Sequence, residues 1–239
     1  MRNAWAVLRS LLLWLVSGLH FFILVPLLIL LGVFLDMRKH DWLQRGLCRR
    51  ILFLAGARLE VRRAPGFDPQ RTCFFMVNHV NLFDPFVLYS AVPQFVRGWE
   101  LESHFKIPVY GWLMRRFGNV PVPDIRRPSD LKRMWRLTRD AIDGGTSLII
   151  FPEAKRTRDG QLCEFQDGGF RVAQTLGVPI VPVTVVGSFE HHRTGGWMLH
   201  PARIVVHLHD LIETRELTKE DVPALRDRVR AIIAGPLKG

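Results

Sequence analysis

The sequence has few cysteines, and their spacing joins none of them into a recognisable site. Its 239 residues include only three, Cys48, Cys73 and Cys163, with no CxxC pair and no cluster of cysteine with histidine. Neither a disulfide framework nor a zinc site is therefore expected, and a reducing compartment suits the sequence. Internal repeats, low-complexity segments and the glycine spacing of a nucleotide-binding loop are also missing. We expect one sizeable domain in addition to an N-terminal anchor.

Histidine is plentiful, with nine residues, but the pattern typical of a metal site is missing. His207 and His209 would share one face of a strand. No acidic or cysteine partner accompanies them in the sequence, so a structural role is favoured and we expect no metal. We expect His191 and His192 to form a turn at the surface.

Formal charge is missing from residues 11–35, which contain no Lys, Arg, Asp or Glu. As a helix this run would extend about 37 Å at about 1.5 Å per residue, which exceeds the roughly 30 Å of a bilayer core. It therefore predicts a membrane anchor rather than a buried core helix. Pro26 lies in the middle, where it removes a backbone donor and tends to bend a helix. A straight span and a helical hairpin in one leaflet both stay open.

Acidic residues are outnumbered, since 33 Lys and Arg face 22 Asp and Glu and the formal net charge is +11. Such an excess favours anionic partners, namely phospholipid headgroups, phosphorylated substrates or nucleic acid. Because the apolar run already points to a membrane, we do not expect nucleic acid as a partner. Basic residues between positions 38 and 50 follow the run, and the positive-inside rule then places the rest of the chain in the cytoplasm.

Behind the anchor, short apolar runs alternate with helix-like segments, beginning with a predicted amphipathic surface helix at residues 41–56. The predicted strands are 58–63, 73–78, 95–99, 119–122, 147–151, 179–186 and 202–212, and the other predicted helices are 85–92, 107–118, 128–143, 168–177 and 218–233. This alternation predicts an α/β fold with a central mixed sheet flanked by helices. We therefore divide the chain into an anchor with its interfacial helix, 1–56, and one folded domain, 57–239.

An apolar run stops at Asn78 and His79, and Asp84, just before Pro85, follows five residues after His79. Residues five apart on one helix are rotated by about 500° and do not share a face. The two can meet only if His79 lies in a turn and Asp84 near the start of the next helix. The pair would then suit general base catalysis. The alternative is a strand that ends at His79 and a helix capped by Asp84 before Pro85, and locally the two interpretations are evenly matched.

A second polar stretch, residues 151–160, comes at the carboxyl end of a predicted strand, where ligands of open α/β sheets bind. It contains Glu153, Lys155, Arg156 and Arg158. Lysine offers a point charge to a phosphate, and arginine a bidentate contact. Taken alone, this stretch would be interpreted as a solvated charged loop.

In combination these stretches resemble the glycerolipid acyltransferases of the lysophosphatidic acid acyltransferase type. "NHVNLFDPF", "FGNVPV", "FPEAKRT" and "VPIVPV" stand in the order and spacing of that family, over roughly residues 60–210. The resemblance implies transfer of an acyl group from an acyl thioester, acyl-CoA or acyl carrier protein, to a lysophospholipid, 1-acyl-sn-glycerol-3-phosphate above all. The implied reaction requires no metal or cofactor. It also implies a location among membrane phospholipids, which we take to be a bacterial inner membrane with the acyltransferase domain, 57–239, on the cytoplasmic face.

The resemblance also implies roles for single residues. His79 would be the general base, and Asp84 would orient it and stabilise its positive charge. Glu153 and Arg156 would bind the glycerol phosphate of the acceptor. The candidate substrate-binding residues are Asn78, Glu153, Lys155, Arg156 and Arg126.

The sequence departs from the family pattern at two places. "EAKR" replaces the usual "EGTR", so that Ala154 stands for glycine and Lys155 for threonine. In the second motif Asp124 stands where an arginine is usual, and an inserted pair of residues would let Arg126 take that place. Another lysolipid, or a lipid-like alcohol or amine, therefore stays open as the acceptor. A catalytically silent protein of the same fold that binds anionic lipids is the alternative from a different class.

Overall fold

The structure is a computed structural model that describes residues 2–124 and 127–238. Its helices are α1 (Arg2–Phe34), α2 (Asp41–Leu54), α3 (Asp84–Ala91), α4 (Tyr110–Arg116), α5 (Pro128–Asp143), α6 (Asp167–Leu176), α7 (Ser188–His191) and α8 (Val222–Ala234). Its strands are β1 (Ala57–Arg63), β2 (Phe74–Val77), β3 (Val96–Leu101), β4 (Val120–Val122), β5 (Ser147–Ile150), β6 (Ile180–Val186) and β7 (Ala202–Leu208). Two short 3₁₀ helices, η1 (Glu102–Lys106) and η2 (Pro236–Lys238), complete the set. The predicted α/β fold is confirmed.

The seven strands form one sheet in the order β1-β7-β6-β2-β5-β3-β4. Strands β6 and β7 pair antiparallel, and the other neighbours pair parallel. Strand β2 lies in the middle, and its side chains alternate between the two core clusters that cover the faces of the sheet. Because β2 and β5 pair in parallel, their carboxyl ends lie side by side. The two polar stretches that follow these strands are thereby brought together.

Helix α1 is continuous through Pro26, so the chain forms one helix there and not a hairpin. One side of α1 packs on the rest of the molecule, where Ser10, Ser17, Val25 and Leu28 are buried. The hydroxyl of Ser10 donates to the carbonyl oxygen of Leu199 at 3.1 Å. The opposite side is apolar and exposed along its length.

Helix α2 packs with α1 and α4 in a third core cluster, and its Cys48 and Leu52 belong to the cluster that covers one face of the sheet. Arg97 of β3 is 1% exposed and donates to the side chain of Gln44 in α2 at 3.2 Å. Its guanidinium lies 3.8 Å from the ring centre of Phe95, an arrangement that stabilises a buried cation. The segment 1–56 therefore shares a core with the domain that follows it.

Candidate active site

His79 and Asp84 meet at the carboxyl end of β2. The Nδ1 atom of His79 lies 2.8 Å from Oδ2 of Asp84, which is fully buried. Because a carboxylate only accepts, Nδ1 carries the proton and Nε2 is left as an acceptor. The imidazole stacks on Phe151, with 4.0 Å between ring centres, so Phe151 and Asp84 together fix the orientation of the ring. This arrangement has the tautomer and orientation that a general base needs.

Asp84 does not cap the helix that it begins. Helix α3 starts at Asp84, with Pro85 in its first turn and no side-chain capping bond. Instead Oδ2 of Asp84 accepts from the backbone N–H groups of Val80 at 2.7 Å and Asn81 at 3.0 Å. The carboxylate therefore closes the turn that carries His79.

The loop after β5 holds His79 by its backbone. Glu153 is 3% exposed, and its Oε1 accepts from the N–H of His79 at 2.6 Å while Oε2 accepts from the N–H of Cys163 at 2.6 Å. The N–H of Thr157 donates to the carbonyl oxygen of His79 at 3.0 Å. Both backbone groups of His79 are thus engaged by this loop. Between them Ala154 has a φ of 54°, in the left-handed region that favours the glycine of the family pattern.

The other candidate residues take different places. Asn78 is buried, and its side chain bonds to both backbone groups of Val185 in β6, at 2.8 and 3.0 Å. Arg156 is exposed and lines the same cavity as His79. Lys155 is exposed on the loop outside that cavity. Arg126 lies outside the described residues.

A cavity of about 710 Å³ opens beside His79, within the range of ligand sites for small molecules. Apolar side chains of α1, α2 and α4 form much of its wall, among them Phe21, Val25, Leu47, Ile51 and Leu113. Its polar groups include those of Glu100, His104, Tyr110 and Arg156. An apolar wall that ends at a base and a cation suits a lipid with a charged headgroup. Within residues 2–124 and 127–238, no cluster of three or more His, Cys, Asp and Glu is placed to hold a metal ion.

The prediction of a surface turn at His191 and His192 is wrong, because both side chains are buried. Their segment is held by Asn81, whose side-chain amide donates to the carbonyl oxygens of Ser188 at 2.7 Å and His192 at 2.8 Å. Asn81 was not among the residues predicted from the sequence. A local signal exists for its Asx turn, in which Oδ1 accepts from the N–H of Phe83 at 2.8 Å, but no local pattern encodes its bonds to Ser188 and His192.

Residues 58–186, more than half of the chain, match the Acyltransferase family. The chain is similar to the chloroplastic 1-acyl-sn-glycerol-3-phosphate acyltransferase of Brassica napus, with 36% identity over 56% of this chain and 40% of that protein. It is also similar to a 1-acyl-sn-glycerol-3-phosphate acyltransferase of Pseudomonas aeruginosa, with 23% identity over 83% of this chain and 78% of that protein. A crystal structure of the 1-acyl-sn-glycerophosphate acyltransferase PlsC from Thermotoga maritima has the same fold. The TM-score is 0.79 at 21% identity, over all of this chain and 97% of that one.

The chain therefore belongs to the Acyltransferase family, and the resemblance found in its sequence is confirmed. The matched region spans 40% of the Brassica protein and 51% of a similar Chlamydomonas reinhardtii protein, about half the length of these relatives or less.

Proposed function

We propose that the protein transfers a fatty acyl group from an acyl thioester to the free hydroxyl of a lysophospholipid, with 1-acyl-sn-glycerol-3-phosphate as the acceptor and phosphatidic acid as the product. The main observation behind this proposal is that His79, paired with Asp84, lines a largely apolar cavity that Arg156 also lines. The similar proteins of Brassica and Pseudomonas are 1-acyl-sn-glycerol-3-phosphate acyltransferases, which supports the same acceptor.

The geometry suits a direct transfer. The acceptor hydroxyl attacks the thioester carbonyl carbon while Nε2 of His79 takes the hydroxyl proton. Buried Asp84 stabilises the imidazolium that forms, and general base catalysis of this kind contributes about 10²–10⁴-fold. When the tetrahedral intermediate collapses, the C–S bond breaks and the proton passes from His79 to the leaving thiolate. Arg156 would hold the phosphate of the acceptor, and the apolar wall would hold an acyl chain.

The roles of Glu153 and Asn78 differ from those of a ligand-binding group. Both carboxylate oxygens of Glu153 already accept from backbone N–H groups, so we propose that Glu153 positions His79 rather than touching the acceptor. Asn78 likewise bonds to the backbone of β6 through its side chain, so we propose that it positions the end of β2 rather than touching the acceptor.

We further propose that α1 and α2 hold the protein on the cytoplasmic face of a bacterial inner membrane. Residues 4–34 of α1 are long and apolar enough to cross a bilayer. However, one side of α1 packs on the catalytic domain, so lipid can cover only its opposite side. An orientation along one leaflet fits this arrangement better than a span.

A panel of acceptors and donors tests the proposed reaction. Purified protein in detergent is given lysophosphatidic acid, other lysolipids or lipid-like amines, each with acyl-CoA and with acyl carrier protein, and products are identified by mass spectrometry. We expect phosphatidic acid, and its loss in a folded His79→Ala variant. Transfer only to another acceptor would overturn the proposed substrate. No transfer with any pair, or full activity of His79→Ala, would favour the silent lipid-binding alternative or another mechanism.

A further inference from the structure

A second histidine–carboxylate pair lies in the wall of the same cavity. Nδ1 of His104, in η1, is hydrogen-bonded to Oε1 of Glu100 near the end of β3. The hydroxyl of Tyr110, at the start of α4, donates to Oε2 of Glu100 at 3.0 Å. All three side chains line the cavity that His79 lines. The transfer described above makes no use of them.

This cluster lines the same cavity as Arg156. Burial raises the pKa of Tyr110, the Glu100 carboxylate raises it further, and the guanidinium of Arg156 acts in the opposite direction. Arg156 and Tyr110 also line one cavity, although their side chains come from segments more than forty residues apart in the sequence. A phosphate held by Arg156 would lie in the cavity that this cluster lines.

The segment that carries His104 is fixed by the residue at which the second motif departs from the family. Asp124 accepts from the backbone N–H of Ser103 at 2.8 Å and from its hydroxyl at 2.7 Å. Glu102 of the same segment pairs with Arg133 at 3.1 Å. Asp124 thus orders η1 from outside the cavity. In the family that the sequence resembles, this position usually holds an arginine. In this chain Asp124 holds the residue next to His104 instead.

The hydrogen-bond capacity of the cluster points to an anionic ligand. Each oxygen of Glu100 already accepts one bond, from His104 or from Tyr110. The atom of the cluster that can donate to an anion is Nε2 of His104, whose side chain is 34% exposed. Because Nδ1 faces Glu100, donation from Nε2 requires the imidazolium form, in which Glu100 and a phosphate oxygen would each accept from one ring N–H.

We propose that His104 is a specificity-determining residue, which donates from Nε2 to the phosphate of the acceptor and, together with Arg156, selects a phosphate monoester. This inference rests on the proposed function. A monoester presents three terminal oxygens and up to two negative charges, which two cationic donors match. A lysophospholipid whose phosphate is a diester has one charge fewer and a headgroup where the second donor would bind.

The test is a comparison of His104→Gln with wild type on two acceptors, lysophosphatidic acid and lysophosphatidylglycerol. We expect the KM for lysophosphatidic acid to rise about 5- to 20-fold, the loss of one charge-assisted bond at a partly exposed site. The donor KM and kcat should change less than about twofold. The preference for the monoester in kcat/KM should fall by the same factor as the acceptor KM rises. Tyr110→Phe should act in the same direction more weakly, since it leaves the ring and removes one support of Glu100.

The exposed residue His200, which lies outside the cavity, gives the matched control His200→Gln, and thermal melting checks the folding of each variant. An unchanged acceptor KM in folded His104→Gln, or a fall in kcat with both KM values intact, would overturn the role in phosphate recognition. These outcomes leave the proposed function standing, because the wild type would still transfer acyl groups. A wild type that acylates no lysophospholipid would overturn the proposed function and this inference together.

Discussion

Three donors converge on one oxygen of Asp84, and their nature decides what the carboxylate does. They are Nδ1 of His79 and the backbone N–H groups of Val80 and Asn81. An asparagine offers one carbonyl oxygen that can still accept from the backbone, but it brings no negative charge against an imidazolium. For Asp84→Asn we therefore expect kcat to fall by at least about 10²-fold. The free energy of unfolding should change by about 1 kcal/mol or less.

Steady-state transfer, combined with thermal melting in detergent, measures both quantities. Asp159→Asn is the matched control, because Asp159 is an exposed aspartate of the neighbouring loop that also accepts a backbone bond, from Gln161 at 2.9 Å. Near-normal kcat in Asp84→Asn would mean that the turn needs Asp84 only for its hydrogen bonds. The mechanism with a charged pair would then have to be abandoned.

The segments that form the candidate site could be predicted from the sequence, whereas most contacts between their residues could not. The spacing from His79 to Asp84 predicted a meeting in a turn because only a local change of direction was needed. The bond between Glu153 and the backbone of His79 joins residues 74 positions apart, and no local pattern encodes it. Ala154 is a partial exception, since the glycine usual in the family already indicated the left-handed backbone that the loop adopts.

The segment from α7 to β7 connects the candidate active site to α1. Asn81 holds the backbone of this segment, and the indole N–H of Trp14 in α1 donates to the carbonyl oxygen of Trp197 at 2.6 Å. His191 lies between these contacts and packs edge-on against Phe83, with 5.0 Å between ring centres. The turn that carries His79 and α1 therefore both contact the segment that contains the buried His191.

Burial lowers the pKa of His191 below its ordinary value of 6.5. As the pH falls, the unfolded chain takes up this proton first, so the stabilising contribution of neutral His191 is present above about pH 6.5 and is lost as the pH falls toward the lower folded value. We expect the melting temperature of His191→Gln to fall less than that of wild type between about pH 7.5 and about pH 5. Thermal melting across this range measures the difference. Equal slopes for wild type and His191→Gln would show that this histidine does not couple stability to pH.

Helices and strands with one strong sequence signal were predictable, but the way they pack against each other was not. The charge-free run predicted a long helix, but a proline at position 26 left open both a span and a hairpin. The structure has one continuous helix that packs against the domain. Likewise, periodicity gave β3 and α4, whereas the cluster of Glu100, His104 and Tyr110 exists only because η1 turns the chain between them. Such turns depend on contacts like that of Asp124 with Ser103, which arise from tertiary structure.

For the whole molecule, the distribution of apolar surface sets the expected location. The exposed side of α1 presents Leu12, Leu15 and Leu19 at 57%, 67% and 59% exposure, and Trp42 and Phe53 of α2 are exposed as well. A soluble monomer rarely shows so large a continuous apolar surface. The cavity wall includes the inner side of the same two helices. A lipid acceptor could therefore reach His79 from the leaflet without crossing water.

We expect the protein to stay in the pellet on alkaline carbonate extraction, because apolar burial in lipid does not depend on charge. The triple change of Leu12, Leu15 and Leu19 to Gln should release it, since each leucine contributes roughly 1.5–3 kcal/mol when buried. The fold should survive because the inner side of α1 is untouched. A matched triple change of Lys132, Arg136 and Arg139 to Gln on exposed α5 positions tests electrostatic binding and should leave the protein in the pellet.

Protease added outside spheroplasts should leave the domain intact if it faces the cytoplasm. Release of the wild type by carbonate, retention of the leucine variant, or digestion from outside would each contradict this placement, because each would show that α1 does not hold the domain on the inner leaflet.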